Sequence, residues 1–592
     1  MRKNLNMEMK FSQVYKGLLS VCLSFAAFIA IAQQQTQQQS QQQNQQQQQE
    51  RRATIDSIDV IRDYRPILAD AVKIRRSPDM TNKREYQPKL TYSIIDKKLD
   101  ITTGTRRLDI QEMPYTTLDR KTNNYVKIGA GNFSTMHGEV YLTNDEYMDT
   151  RFGLNAKILN QKGSLDDQVF GQQEIAVFGR QVHEGFTLSG DLGYKRYNTR
   201  FFGQHSFFGP GIPNMPAVEK QAFNDVFLDA ELNSTFSADD PQPLSYSVKA
   251  NGYLFSDAFD ASENSIVLSA YVNKKVNNFQ AGGQVSGDFT GVSGANYKLG
   301  NHIARVKPFL GFQGENYDLR VGVNLAAEFG DSSRVNIFPD VALDFALIPT
   351  YAHLFLGVTG DVNKTSLRDL ARENPWLAPD LAIANSLDRF HIYGGIKGNA
   401  SATFGYKAHI SYRKIENLPL LNNSLPHLFK YQLVYENGSK ASSVFNFSGE
   451  VSLRVSETIS LGGNLAFNEY NLQTEEEAWY LPKLQIGANT RINISDRLYL
   501  NGEMQFMGKT YGKTIDNVAW NQYLASSLWL PIPYQTITIP AFVDLSAGLE
   551  FRATDRFGVS VRVNNMLNSG YERYLYYPRL GLNVLGGFNF SF

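Results

Sequence analysis

The sequence predicts an all-β protein: a transmembrane antiparallel β-barrel of about 22 strands with a short N-terminal periplasmic or lumen-entering extension. Three observations predict it. In residues 582–592, L-N-V-L-G-G-F-N-F-S-F, the even positions Leu582, Val584, Gly586, Phe588, Phe590 and Phe592 share one side of an extended strand. Asn583, Gly587, Asn589 and Ser591 share the other. The same alternation recurs back to about residue 124, with no long helical period between. Finally, the turns joining these stretches are short at one end and long at the other, as in an outer-membrane barrel.

Bulk composition is consistent with that class. The 592 residues include 31 Tyr and 38 Phe, yet mean hydropathy is -0.33, as expected when strands are apolar on one face only. Beyond the N-terminus no run approaches ~18 apolar residues, which excludes helical membrane spans. The 58 basic and 58 acidic residues balance, which argues against a dedicated nucleic-acid surface.

Residues 1–32 carry Lys10 and Lys16, then an apolar run from Gly17 to Ala32 ending in small residues. This reads as a secretory signal peptide cut before Gln33. A lipoprotein reading would anchor on Cys22, the single cysteine, but Val21 is bulky and the apolar run continues past it. No disulfide can form within one chain. Residues 33–50 form a Gln-rich tether, since 14 of the 17 residues in 33–49 are Gln and offer no apolar face to bury. Residues 51–122 are charged and broken by Pro66, Pro78, Pro88 and Pro114. They read as a periplasmic or lumenal segment rather than a large independent domain.

The barrel occupies 123–592. Strands expected to rise from the short-turn end lie near 124–132, 149–160, 185–198, 243–255, 279–290, 315–327, 349–362, 401–413, 457–470, 496–508 and 556–566. Their descending partners lie near 137–144, 173–181, 222–237, 263–275, 297–311, 332–345, 388–398, 441–454, 481–493, 540–551 and 581–591. The even total suits a closed barrel with both ends in the periplasm, and a miscount would shift it to 20 or 24. The apolar piece 429–435 falls outside the alternation and is assigned to an external hairpin. In the last strands Val543, Leu545, Leu549, Phe551, Val561 and Val563 alternate with Asp544, Glu550 and Arg562. Charges are costly in lipid, so the second set faces the lumen.

The final 110 residues or so resemble the C-terminal part of the TonB-dependent receptor family. The resemblance rests on 479–486 (W-Y-L-P-K-L-Q-I), 507–511 (M-G-K-T-Y), 539–546 (I-P-A-F-V-D-L-S), 563–571 (V-N-N-M-L-N-S-G-Y) and the terminal Phe592. Residues 124–133 and 138–141 resemble barrel openings in receptor-like proteins of Bacteroidetes-type bacteria. The resemblance implies a 22-stranded outer-membrane barrel, a plug, and energised import coupled to a TonB partner. The chain departs from the family at the plug, for which 51–122 is too short. In place of a TonB box it offers only Ile58-Asp-Val-Ile61. Those 51–122 residues, inward loops or a partner should therefore obstruct the lumen.

The expected function is a receptor- or transporter-like barrel in the outer membrane of a Gram-negative bacterium, for uptake or passage of a solute. The alternative is a plugless structural or assembly barrel acting as a scaffold. No enzyme, cofactor or metal is expected: the histidines lack metal spacing, and neither a nucleophile elbow nor a phosphate loop is present. Expected partners are outer-membrane lipids, a surface lipoprotein or periplasmic protein, and a TonB-type coupling protein. Asp344, Asp544, Glu550 and Arg562 either line a solute path or form the ion pairs of a barrel interior. Tyr571, Arg573, Tyr574, Tyr576, Tyr577 and Arg579, at the last external loop, suit stacking on a ligand or an interfacial aromatic girdle. Trp376, in the connection 363–387, is open to the same two readings.

Overall fold

The computed structural model describes residues 124–592 except 145–148, 209–215, 236–243, 332, 426, 438–439 and 516–533. The expected signal peptide, tether and segment 51–122 lie outside the described residues. The rest forms one 22-stranded antiparallel sheet and two further hairpins, Leu418–Asn423 with Tyr431–Glu436 and Thr510–Ile515 with Tyr534–Ile539. The sheet closes on itself. The first strand, Tyr125–Gly131, pairs with the last, Asn583–Ser591, from Tyr125↔Ser591 to Gly131↔Leu585.

Each of the 22 expected strands is present, with ends shifted by a few residues. The piece 429–435 is part of the first extra hairpin, outside the barrel wall. Alternation explains the agreement: an antiparallel strand buried on one face repeats every two residues, and register follows from that face.

The outer face is apolar. Ile158, Ile175, Leu192, Leu228, Ile266 and Leu268 are all exposed, although each sits in a long regular strand. A closed strand ring with a continuous exposed apolar band, and no sheet edge left open, is a surface for hydrocarbon. The protein is a transmembrane barrel whose band faces lipid.

Wall height is uneven. Strands run from seven residues at Tyr125–Gly131 to sixteen at Lys298–Gln313, whereas about 9–11 residues cross a bilayer. The tall wall therefore extends beyond the lipid, giving the external connections a surface to pack on.

Candidate functional site: a cap folded into the barrel mouth

Six long connections meet at the mouth in a single buried apolar core. The first, between the fifth strand Phe186–Arg200 and the sixth Lys220–Ser234, contributes Phe201, Phe202 and Phe207, the last on the short helix Gly203–Phe208. The connection following Ala352–Asn363 contributes Trp376, Leu377 and Leu381. The extra hairpin Leu418–Asn423/Tyr431–Glu436 adds Leu420, Phe429 and Tyr431. Trp479 and Tyr480 come from the next connection, Ile515 and Ile539 from the second hairpin, and Tyr574 and Tyr577 from the last. The hairpin bearing Phe429 leaves the ring ten strands away from Phe201, almost diametrically opposite in a ring of 22. The core thus spans the mouth.

Lumen-facing strand ends complete it. Phe223 and Phe255 are buried and stack at 5.7 Å, while Val226 and Leu254 beside them point outward and are exposed. At the centre, the Trp376 and Tyr577 rings stack at 3.7 Å and 15°. Phe202 meets both edge-on at 5.8 and 5.0 Å, and Tyr431 packs against Tyr480 and Tyr574 at 5.2 and 5.4 Å. Offset and edge-to-face pairs of this kind add to the burial of large aromatic surfaces.

Polar ends inside the core are satisfied across loops, as buried groups must be. Tyr431 Oη donates to the Leu575 carbonyl at 2.8 Å, and Tyr577 Oη to that of Phe429 at 2.6 Å. Trp376 Nε1 donates to the Arg200 carbonyl at 3.1 Å, and Tyr480 Oη to Asn423 Oδ1 at 2.5 Å. Burial pushes the Tyr431 and Tyr577 hydroxyls well above the usual tyrosine range, so both stay protonated as donors. Tyr480 and Tyr576 have φ of 59° and 74°, a region costly for bulky residues and held here by the surrounding packing.

A polar strap fastens the cap to the tall wall. Lys364 Nζ meets Asp288 Oδ1 at 2.7 Å. Glu263 accepts from the Ser366 hydroxyl and the Leu367 N–H, both at 2.7 Å. Those two groups open the helix Leu367–Glu373, where Ser366 is the N-cap, so the carboxylate also complements the helix N-terminus. Arg368 and Arg372 both reach Asp225 Oδ2, at 2.9 and 2.8 Å. Asn385 exchanges hydrogen bonds with Asn301 at 2.9 and 2.7 Å.

The structure places Tyr574, Tyr577, Arg573 and Trp376 inside this core, with Tyr571 and Tyr576 half-buried. For Tyr574 and Tyr577 the expected position at an exposed loop tip or in a headgroup girdle is therefore corrected: the loop turns inward and covers both rings. Tyr571 stacks on Phe542 at 3.9 Å and donates to Asp544 at 2.5 Å. Arg579 alone of the group is exposed. Among the residues expected to face the lumen, Arg562 pairs with Glu503 at 2.9 Å, and Asp344 with Lys397 at 2.7 Å and His353 at 2.8 Å. Glu550 lies 3.8 Å from Arg552. A lumenal pocket at the seam brings Lys127, His137, Arg491, Glu503, Glu550 and Arg562 together. Among the described residues, no group of three or more His, Cys, Asp or Glu is placed to hold a metal ion.

Inward loops were one of three obstructions the sequence allowed, but sequence reasoning did not pick out the residues that build the cap. A signal was present: paired aromatics at 201–202, 207–208, 479–480 and 576–577 sit in connections that water would otherwise surround, and solvated loops have no use for that much apolar surface.

No protein-family model matches the sequence, and no curated protein matches it either. Solved structures do. The chain is similar to the pyoverdine outer membrane receptor FpvA from Pseudomonas aeruginosa PAO1, at 12% identity and TM-score 0.57, covering 80% of this chain and 79% of that one. It is similar to the FrpB iron transporter from Neisseria meningitidis, at 9% identity and TM-score 0.59, covering 80% and 83%. It is also similar to the siderophore receptor PirA from Acinetobacter baumannii, at 10% identity and TM-score 0.57, covering 80% and 81%. At these identities the likeness establishes the barrel: this chain has the 22-stranded fold of outer-membrane receptors.

Proposed function

We propose that this chain is a receptor- or transporter-like barrel for passage of a solute across the outer membrane, with its mouth shut by its own connections. The observation that carries the reading is the contrast between two layers. Below the cap, the inward faces carry charges such as Arg562, Glu503, Arg305 and Asp361, the last two paired at 2.9 Å. A wide ring with a charged lining is costly to build unless water or a polar solute occupies it. Above it, the aromatic core excludes both. Passage then requires the cap to loosen, and coupling to a TonB-type partner would act through the residues before Asn124. Two of the similar proteins are a pyoverdine receptor and an iron transporter, which makes a metal chelate the first solute class to try.

A second reading is a closed scaffold for partner proteins. The extent of cap burial favours it: Trp479, Tyr431, Tyr577 and Phe201 are each at most 1% exposed. Swelling of proteoliposomes in graded sugars separates the two. The transport reading predicts negligible swelling for the native protein and size-limited swelling once Trp376→Ala and Tyr577→Ala loosen the cap. A loosened barrel that admits nothing would leave the scaffold.

A further inference from the structure

We propose that the outer surface of the third to sixth barrel strands binds the phosphate groups of lipid headgroups in the outer leaflet. The third, fifth and sixth strands switch from apolar to polar on their lipid-facing side as they approach the long-connection end, and the fourth carries one polar residue among them. On the fifth, Phe186–Arg200, exposed Leu188 and Leu192 are followed on the same face by Arg196, Asn198 and Arg200. On the sixth, Lys220–Ser234, outward Leu228 and Val226 give way to Asn224 and Lys220. Phe152 and Ile158 on the third strand, Thr150–Lys162, are followed by Asn160 and Lys162. On the fourth strand, Val169–Val182, Val177 and Ile175 lead to Gln173.

Register brings these groups together. Arg200 lies opposite Lys220, while Gln173, Arg196 and Asn224 form one row across three strands. Asn224 Oδ1 accepts from Tyr194 Oη at 2.8 Å and from Arg196 Nη1 at 3.4 Å, which holds the guanidinium along the wall. Asn160 and Asn198 converge over Gly171, where a Cβ would lie 3.0 and 2.4 Å from their oxygens. The face is thus a shallow shelf of amides and cations directly above the hydrocarbon band.

Charge balance separates this sector from other parts of the rim. Arg389 pairs with Glu416 and Lys483 with Glu469. In the shelf only Arg200 has a carboxylate, Asp167. Among the described residues, Lys162, Arg196 and Lys220 form no ion pair, and all three are exposed. Uncompensated cations at headgroup depth fit a phosphate-bearing lipid, each contributing about fivefold near an anionic surface.

The test uses full-length protein in neutral detergent, with bound lipid counted by native mass spectrometry. It is titrated with diphosphorylated lipid A, with the same glycolipid stripped of phosphate, and with inorganic phosphate as competitor. The phosphorylated lipid should bind and the stripped lipid should not, with millimolar inorganic phosphate leaving the adduct in place. R196Q with K220Q should weaken binding about thirtyfold, whereas K298Q elsewhere on the rim should change it less than about twofold. Equal binding of the two lipids, displacement by inorganic phosphate, or wild-type affinity in the double variant would each overturn the proposal. The lipid comparison uses the native chain, so it stands even if a variant folds poorly.

Discussion

Lys430 and Glu219 meet across the mouth of the barrel, Nζ to Oε2 at 2.8 Å, joining a hairpin on one side of the ring to the start of the sixth strand on the other. The lysine is 4% exposed, and its ammonium lies 4.8 Å from the Phe201 ring and 5.1 Å from Phe259. A cation enclosed this way depends on its one carboxylate and two π-faces. Glu219→Gln should therefore loosen the cap by about 1–2 kcal/mol, less than a fully buried pair because the glutamate side is open to water. Lys430→Met, which removes the charge and keeps the stem, should cost less. Protease nicking between 424 and 430 measures both, and the reverse order would contradict the pairing.

Gly203 marks the closest approach in the cap. A Cβ there would lie 2.6 Å from Cζ of the Tyr577 ring, inside any tolerable contact, and that ring is held between Trp376 and Phe202. Gly203→Val should open the cap while leaving the barrel intact, because overpacking costs about 1–3 kcal/mol locally. The expected result is faster proteolysis of the connections with unchanged mobility of unboiled protein on gels.

Glu572 gives the cap a pH dependence. Burial raises its carboxyl above the ordinary carboxylate range, against the opposing hydrogen bond from the Tyr576 N–H at 3.0 Å. A carboxyl raised on folding stabilises the folded form fully below its unfolded pKa and loses that contribution as pH rises through the folded value. Protection of the last connection should therefore decline as pH rises from the ordinary carboxylate range through the raised one. Glu572→Gln should flatten the decline, and an unchanged pH profile in that variant would contradict the assignment.

On the lipid face, Leu268→Arg should cost about 2–4 kcal/mol if its position is near the bilayer midplane. Ser269→Arg, one residue on and facing the lumen, should cost far less. Urea titration of the refolded barrel in lipid vesicles compares them, and equal losses would contradict the orientation of this strand.

The barrel wall was legible because every strand repeats a local rule. Val559, Val561 and Val563 against Gly558, Ser560 and Arg562 state their two faces within six residues, and such alternation needs no distant partner to interpret. Inward loops were one expected obstruction, but the residues that form the cap were not legible, for the converse reason. Trp376 and Tyr577 touch face to face but lie 201 residues apart in sequence, and neither is in a strand whose period announces a direction. Aromatic residues near a membrane rim have a local use in a headgroup girdle, which is why Tyr574 and Tyr577 pointed to the wrong surroundings.

Hydrogen exchange on the intact, reconstituted protein tests whether loops from opposite sides share one core across the mouth. Amides of 429–435 and 478–481 should be protected like those of the barrel strands. Trp376→Ala or Tyr577→Ala, each costing about 3–5 kcal/mol of local stability, should release all the cap connections together. Exchange of those segments within seconds in the native protein, or loosening confined to the substituted loop, would show that the connections do not form a common core.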